Sequence, residues 1–427
     1  MTRIGIIGGG VAGLHLGLYL RSRGVHATIY TSKTPAQHRD DRLRNVVCRS
    51  GSTRQREQAL GVNHWDDEAP DLGEISISIA GPRPMTFAGT LEPSCQVVDM
   101  RLYWARLLND FAARGGDVVV RAVRPADIDA LSTQFDLTVV ASGRGSLSNL
   151  FPLVPEHSPF ETPQRVVLAA LVRGVAYREP LGFEVTVVRG AGEILTFPMC
   201  SFEPGLTALG IEIVRNGPFT PLAATLRYDE APREVETFIL GLLREHAPAI
   251  HARVEPGRFG IARPLDIGHV AITPAARQAC MRLPTGRMVL ALGDAHVVMD
   301  PLTGQGANKA SQAAWVLGDA ICAGGPYDEA FCAMVEQRMA TYALAVSDAC
   351  NARLQPPPPH VQRFFASAAQ RRTVADAYAY GFNHPDHYWH IVSDADRTSL
   401  LLQLLDRDQP APLSDAIHAC LGPTEPM

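Results

Sequence analysis

Ile4-Gly5-Ile6-Ile7-Gly8-Gly9-Gly10-Val11-Ala12-Gly13 decides the fold. Ile4, Ile6 and Ile7 make an apolar run suited to a strand buried inside a parallel sheet. Gly8 and Gly10 suit a tight turn whose backbone approaches a pyrophosphate, and Gly13 lets the next helix close on the strand. Leu14, Leu16, Leu18, Tyr19 and Leu20 continue as that helix, whose first amides, from Val11 and Ala12 onward, favour an anion. A G-x-G-x-x-G pattern between a strand and a helix is the context that dinucleotide binding requires. The second strand, roughly Ala27 to Tyr30, ends in Thr31-Ser32. Folds of this kind usually place an acid there for the ribose hydroxyls. Hydroxyls hold a ribose less strongly than a carboxylate, so the sequence predicts weaker, exchangeable binding.

A second glycine-rich segment lies far along the chain, from Gly293 to Asn308. Met288 to Leu292 reads as a buried strand, and Asp294 just beyond it is placed to accept from ribityl hydroxyls. Pro301-Leu302-Thr303-Gly304-Gln305-Gly306-Ala307-Asn308 reads as a loop entering a helix. Amides at such a helix start can face the pyrimidine end of a flavin and stabilise its reduced, anionic form. The two segments together predict one FAD held between them.

The rest of the composition bounds the alternatives. At 427 residues, 46% hydrophobic and 19% charged, the chain is globular and long enough for two or more cores. A net charge of −5 gives no support for nucleic-acid binding. Lys33 and Lys309 are the only lysines. Eight cysteines without a C-x-x-C pair fit a reduced, cytoplasmic protein. Cys48 and Cys95 read as small core or pocket residues rather than nucleophiles. His384, His387 and His390 cluster without a carboxylate or cysteine at metal spacing, so loop packing is the reading and no metal is expected. No basic region or cleavage site precedes the first strand, and no apolar run is long enough to span a membrane.

Along the chain, Arg42-Leu43-Arg44-Asn45 is a polar segment placed to touch the cofactor. Ile75-Ser76-Ile77-Ser78-Ile79 alternates as a half-buried strand, with Pro84 to Gly89 as its hairpin partner. Asp99 to Ala113 reads as a helix and Phe135 to Ala141 as a buried strand. Strands dominate from about 151 to 264, with a helix from Glu234 to His246. Helices follow Asn308, first through Leu317, then over Glu329 to Asn351, Val361 to Ala379 and Arg397 to Leu405. The fold class predicted is α/β. A Rossmann-like FAD-binding domain (1–70, 98–150 and 265–345) interleaves with a β-sheet substrate domain (71–97 and 151–264), and a helical C-terminal region (346–427) follows.

Several further segments carry a family resemblance. They include Gly13-Leu14-His15-Leu16-Gly17-Leu18, Arg42-Leu43-Arg44-Asn45, Thr53-Arg54-Gln55-Arg56-Glu57, Val98-Asp99-Met100-Arg101-Leu102-Tyr103, Gly304-Gln305-Gly306-Ala307-Asn308 and Phe382-Asn383-His384-Pro385. With them the chain resembles FAD-dependent monooxygenases of the para-hydroxybenzoate hydroxylase fold, and more closely the oxygenase component of two-component styrene and indole monooxygenases. Single-component relatives usually carry Asp-Gly where this chain has Ser142-Gly143. The resemblance therefore implies FADH2 supplied by a separate NADH-dependent flavin reductase. It further implies that O2 gives an electrophilic C4a-hydroperoxide, which attacks an aromatic C=C of the styrene or indole class. The product is an epoxide or a hydroxylated arene. A homodimer is implied only by the resemblance.

Asn45 and the amides from Gly304 and Gln305 to Asn308, with Pro301 ahead of them, are the candidates to orient flavin and oxygen. Arg42 and Arg101 are candidates for the pyrophosphate or ribityl chain, or else ion pairs. Leu72, Ile75, Leu171, Val187, Phe197, Met199 and Met299 are candidates for an apolar substrate wall. Near positions where styrene enzymes carry aromatic or imidazole side chains, this chain has Leu72 and Ile75, which leaves room for another vinyl arene, indole or a larger indole-bearing metabolite. The alternative enzyme reading is a one-component NAD(P)H-dependent aromatic hydroxylase. A halogenase lacks its W-x-W-x-I-P segment here. A non-catalytic lipid carrier has no need of the Gly293-Asp294 and Gly304-Gln305-Gly306 constellation.

Overall fold

The computed structural model describes residues 2–81, 84–220 and 228–422. The glycine turn at the start has the geometry its sequence dictates. Gly8 sits at φ +130°, where a side chain is strained, and a Cβ on it would lie 2.1 Å from the Ala141 carbonyl oxygen. A Cβ on Gly13 would lie 2.0 Å from the Gly8 carbonyl oxygen, so the helix Val11–Ser22 packs as tightly as backbone permits.

That turn belongs to a six-stranded sheet. Its order is Cys280–Arg282, Met288–Ala291, Leu137–Val140, Arg3–Ile7, His26–Thr31 and Asp117–Val120. Neighbours are parallel except for Cys280–Arg282, which runs antiparallel to Met288–Ala291. Leu137–Val140 is buried throughout, as a central parallel strand must be.

The second sheet has nine strands. Gly260–Ile261, Arg165–Arg173, Thr207–Val214, Gly192–Pro198, Gly182–Val188, Leu72–Ala80, Met85–Asp99 and Val46–Arg49 follow in that order, and Ile267–Ala271 also pairs with Arg165–Arg173. The alternating Ile75, Ile77 and Ile79 do form a hairpin with the strand after Gly81. That partner strand runs 15 residues, on to Asp99. Its far end pairs with Val46–Arg49, so this strand joins the second sheet although it lies among residues expected in the cofactor half. Ile267–Ala271 likewise stays with the second sheet beyond residue 265.

The tail is more broken than its apolar pattern suggests. The stretch from Val361 to Ala379 divides into Pro359–Ala368 and Arg372–Asn383, and Pro385–Val392, Ala395–Leu405 and Leu413–Leu421 follow. Arg372–Asn383 lies directly on the hairpin: a Cβ on Gly89 would come within 2.1 Å of the Ala375 carbonyl oxygen. These helices form a second wall facing the sheet.

A buried polar network joins the elements of the first half. His15 bonds Ser311 Oγ through Nδ1 (3.0 Å) and the Tyr103 hydroxyl through Nε2 (2.7 Å). Tyr103 donates to Glu57, and Arg49 donates to Glu57 (2.7 Å), Gln96 (2.6 Å) and Asp66 (2.8 Å). His15, Arg49, Glu57 and Tyr103 are all buried.

Burial, reinforced by the Arg56 and Arg49 charges, lowers the His15 pKa to about 3. Burial and then Lys309 lower that of His296 to about 4. Both sit below the ordinary value of 6.5, so between those limits the unfolded chain binds more protons than the native one. Their contribution is complete above pH 6.5 and is lost as pH falls toward 4 and then 3, at about 1.4 kcal/mol per unit. The raised carboxyls of Glu57, Glu212 and Asp300 oppose this trend, so the test is a difference. His296→Asn should flatten the fall in unfolding free energy between pH 6.5 and 4.5, measured by urea titration. An unchanged slope would show that His296 takes up no proton on unfolding.

Candidate active site

The two glycine-rich segments meet because their helices pack side by side. His15 of Val11–Ser22 bonds Ser311 of Gly306–Ala323, and one turn on Tyr19 packs edge-on against Trp315 with ring centroids 4.8 Å apart. Tyr19 also bonds Asp319. Contact positions rise together along both helices, so the pair is parallel. Near their starts, a Cβ on Gly293 would lie 2.8 Å from Ala12 Cβ and 3.8 Å from Ala310 Cβ. Two helix N-termini thus lie at the same end.

Parallel dipoles oppose one another, and an anion placed at both positive ends relieves that. Gly10 and Gln305, the residues that precede the two helices, cap neither with a side chain. A Cβ on Gly10 or on Gly306 would meet nothing within 4 Å. Both glycines therefore border open space suited to a ligand that approaches main chain closely. This is the architecture an FAD pyrophosphate and an anionic flavin ring require.

The loop ahead of the second helix is held from behind. Asp300 accepts from the Leu302 amide (3.1 Å), and Gly304 takes a left-handed φ of +64°. The Gln305 side chain donates to the Phe382 carbonyl (2.9 Å) and accepts from Asn308 Nδ2 (3.1 Å). Asn308 Oδ1 in turn accepts from the Ser50 amide (3.0 Å) and the Thr53 hydroxyl (2.8 Å). Gln305 and Asn308 thus spend their side chains shaping the loop.

Asn45, Asp294, Pro301, Gly304, Gln305, Gly306 and Ala307 line a cavity of about 1350 Å³ that runs between the second sheet and the C-terminal helices. Ile75, Leu171, Val187, Phe197 and Met299 line it as well. The Asp294 carboxylate stands 3.3 Å from Lys309 Nζ. That ammonium is buried, which lowers its pKa, and it also donates to the Val297 carbonyl. Thr31 is buried beside Gly9, its Oγ1 lying 3.0 Å from where a Cβ on Gly9 would sit, while Ser32 is exposed.

Four expected residues have other surroundings. Arg101 is buried and bonded to Asp99 and to Asp266 (2.6 Å to each), which, after the opposing effect of burial, raises its pKa. Arg42 makes a bidentate pair with Asp229 and donates to the Pro264 and Ile267 carbonyls. Leu72 lies across a register shift from Glu74 and packs in the core opposite Cys95. Met199 falls just past the end of its strand at Pro198 and is buried in the same core. None of these four lines the cavity.

Sequence reasoning passed over Phe183 and Phe382, which do line it, and Cys48, expected in the core or a pocket, lines it as well. Cys48 Sγ lies 3.2 Å from Cys95 Sγ and 3.9 Å from where a Cβ on Gly304 would sit. Phe183 shares the period of Val185 and Val187, a signal that extends the wall from Val187 alone.

Comparison with known proteins agrees with this geometry. The family model described as "Styrene monooxygenase A putative substrate binding domain" matches residues 143–253. The chain is 37% identical over 399 residues to styrene monooxygenase StyA of a Pseudomonas species, covering 92% of this chain and 96% of that one. The StyA of Pseudomonas fluorescens matches at the same identity and coverage. Among solved structures, the flavin-dependent brominase Bmp2 superposes with a TM-score of 0.60 at 14% identity, covering 93% of this chain and 94% of that one. The tetrameric form of 2-methyl-3-hydroxypyridine-5-carboxylic acid oxygenase gives 0.59 at 17%, covering 90% and 97%. At such identities these two likenesses speak for the fold alone. The 37% identity over nearly the full length of both chains decides the family: this chain belongs to the styrene monooxygenases, as a flavin-dependent oxygenase component.

Proposed function

We propose that the protein takes FADH2 from a separate NADH-dependent flavin reductase and uses O2 to epoxidise or hydroxylate an aromatic alkene or indole-type substrate. The observation that carries this reading is the pair of parallel, uncapped helix starts, the second of which opens at Gly306 and Ala307 on an apolar cavity. The amides of Val11 to Gly13 hold the pyrophosphate. Those of Gly304 to Asn308 hold the pyrimidine edge, and Asp294, kept in place by Lys309, receives the ribityl hydroxyls. Asn45, exposed at the cavity edge, orients the ring. Reduced flavin, when bound, would supply the two electrons that activate O2, one atom of which is transferred to the substrate. The protein contributes orientation and a wall of Ile75, Phe183, Phe197 and Leu171 that keeps water from the reacting atoms.

Thr31 and Ser32 in place of an acid support a flavin that arrives and leaves by diffusion, as a homodimer in the cytoplasm would receive it from a partner. Two relatives named for styrene support the substrate class. A single-turnover experiment tests the reading. Protein loaded anaerobically with photoreduced FAD, then mixed with aerated styrene or indole, should give close to one oxygenated product per flavin. NADH added without a reductase should give none. NADH consumption by the protein alone would instead favour the one-component hydroxylase.

A further inference from the structure

The sheet face that floors the cavity is three cross-strand rows deep. The first row is Ile75, Phe183, Phe197, Ala208 and Leu171, with Ile75 opposite Phe183, Phe197 opposite Ala208 and Ala208 opposite Leu171. The second is Ile77, Val185, Leu195, Gly210 and Ala169, each opposite the next. The third is Ile79, Val187, Glu193, Glu212 and Val167. All but Glu212 line the same continuous cavity.

The first row adjoins the glycine loop. The Phe183 ring lies 5.2 Å from that of Phe382, which in turn stands 3.8 Å from where a Cβ on Gly304 would sit. The third row lies four residues further along each strand, or about 13 Å at roughly 3.3 Å per residue. Nothing bulky on the sheet separates them on one side, since the second row passes through Gly210 and Ala169. The opposite wall is also apolar, with Val361, Phe365, Trp389 and Val392.

The far end is polar. Glu193 and Glu212 face each other across two strands and share one guanidinium: Arg165 Nη1 stands 3.4 Å from Glu193 and 3.1 Å from Glu212. Burial pushes the Glu212 carboxyl well above its ordinary range, whereas Glu193, which lines the cavity, keeps acceptor capacity to spare. Arg189, also at this end, is exposed. A one-ring vinylarene seated at the first row leaves the second and third rows without partners, and their contacts are forfeited.

We infer that the preferred substrate is an amphiphilic arene much larger than styrene. Its oxidisable C=C lies over the first row, an apolar body covers the second and third, and a hydrogen-bond-donating head meets Glu193. This inference rests on the oxygenase reading above. Contacts so far from the reacting bond raise kcat/KM by fixing orientation.

The test compares styrene with 4-vinylbiphenyl and its 4′-aminomethyl derivative, on the natural chain, on Ile79→Trp and on Glu193→Gln. Turnover with chemically reduced FAD and calorimetric titration of the flavin-free protein are both measured. The aminomethyl compound should exceed styrene by about tenfold or more in kcat/KM. Ile79→Trp should bring the two to parity, and Glu193→Gln should weaken only the aminomethyl compound. Styrene turned over as well as or better than the larger arenes overturns the inference and leaves the oxygenase reading standing. If nothing is oxygenated, the oxygenase reading fails and calorimetry decides. Tighter binding of the aminomethyl compound than of styrene, weakened by Ile79→Trp, sustains the large site, and equal or absent binding refutes it.

Discussion

Gly10→Val and Gly306→Val should each weaken flavin binding at least a hundredfold while the protein stays folded. A Cβ at either position meets nothing within 4 Å, so the fold itself offers no clash. Gly10 has φ −88° and ψ −174°, an extended conformation that valine adopts readily. Gly306 begins a helix of 18 residues, where valine is no worse than glycine. The space a branched side chain fills is the space the pyrophosphate or the flavin ring needs. Anaerobic titration with reduced FAD should show at least a hundredfold loss, about 2.7 kcal/mol, with melting temperatures near that of the unaltered protein. Gly8→Ala and Gly13→Ala should fail differently. Their Cβ atoms would fall 2.1 and 2.0 Å from backbone carbonyl oxygens, so these variants should misfold. Undiminished flavin affinity in Gly10→Val would place the cofactor elsewhere.

Glu57→Ala should destabilise the protein strongly. Glu57 neutralises Arg49 and accepts from Tyr103, and all three are buried. Truncating it leaves an arginine underneath Trp65 with only Asp66 as a charged partner. Breaking a buried pair from one side costs about 3–5 kcal/mol, because the remaining charge is stranded. Replacing both ends with apolar residues of similar volume, Arg49→Met with Glu57→Leu, should cost less than Glu57→Ala alone. Urea unfolding followed by tryptophan fluorescence reads this directly. If the double variant proved less stable than the single, the desolvation argument would be wrong.

What the sequence made legible was local. A strand, a glycine turn and a helix are consecutive, and Gly13 has its steric reason within that turn, while Gly8 meets the distant Ala141 and Gly10 borders open space. Alternation exposed Ile75, Ile77 and Ile79 as one face, which now floors the cavity. The misses depended on distance along the chain or on breaks in period. Arg101 finds Asp266 from 165 residues away, and nothing near Arg101 foretells that partner. Leu72 lies an odd three residues before Ile75 and across a register shift from Glu74, so the alternation of Ile75, Ile77 and Ile79 does not carry back to it. Gln305 and Asn308 belong to the expected loop, yet their side chains bond Phe382, Ser50 and Thr53, remote segments that hold the loop in shape. The parallel pairing of two helices about 300 residues apart was implied only by the chemistry the two motifs share.

That pairing is the claim on which the rest depends, and a crystal structure of the protein soaked with FAD tests it most directly. The pyrophosphate should rest on the amides of Val11 to Gly13 and the isoalloxazine on Gly304 to Ala307, with one edge facing Phe183 and Phe382. A flavin bound away from either helix start, or a ring turned out of the cavity, would contradict it.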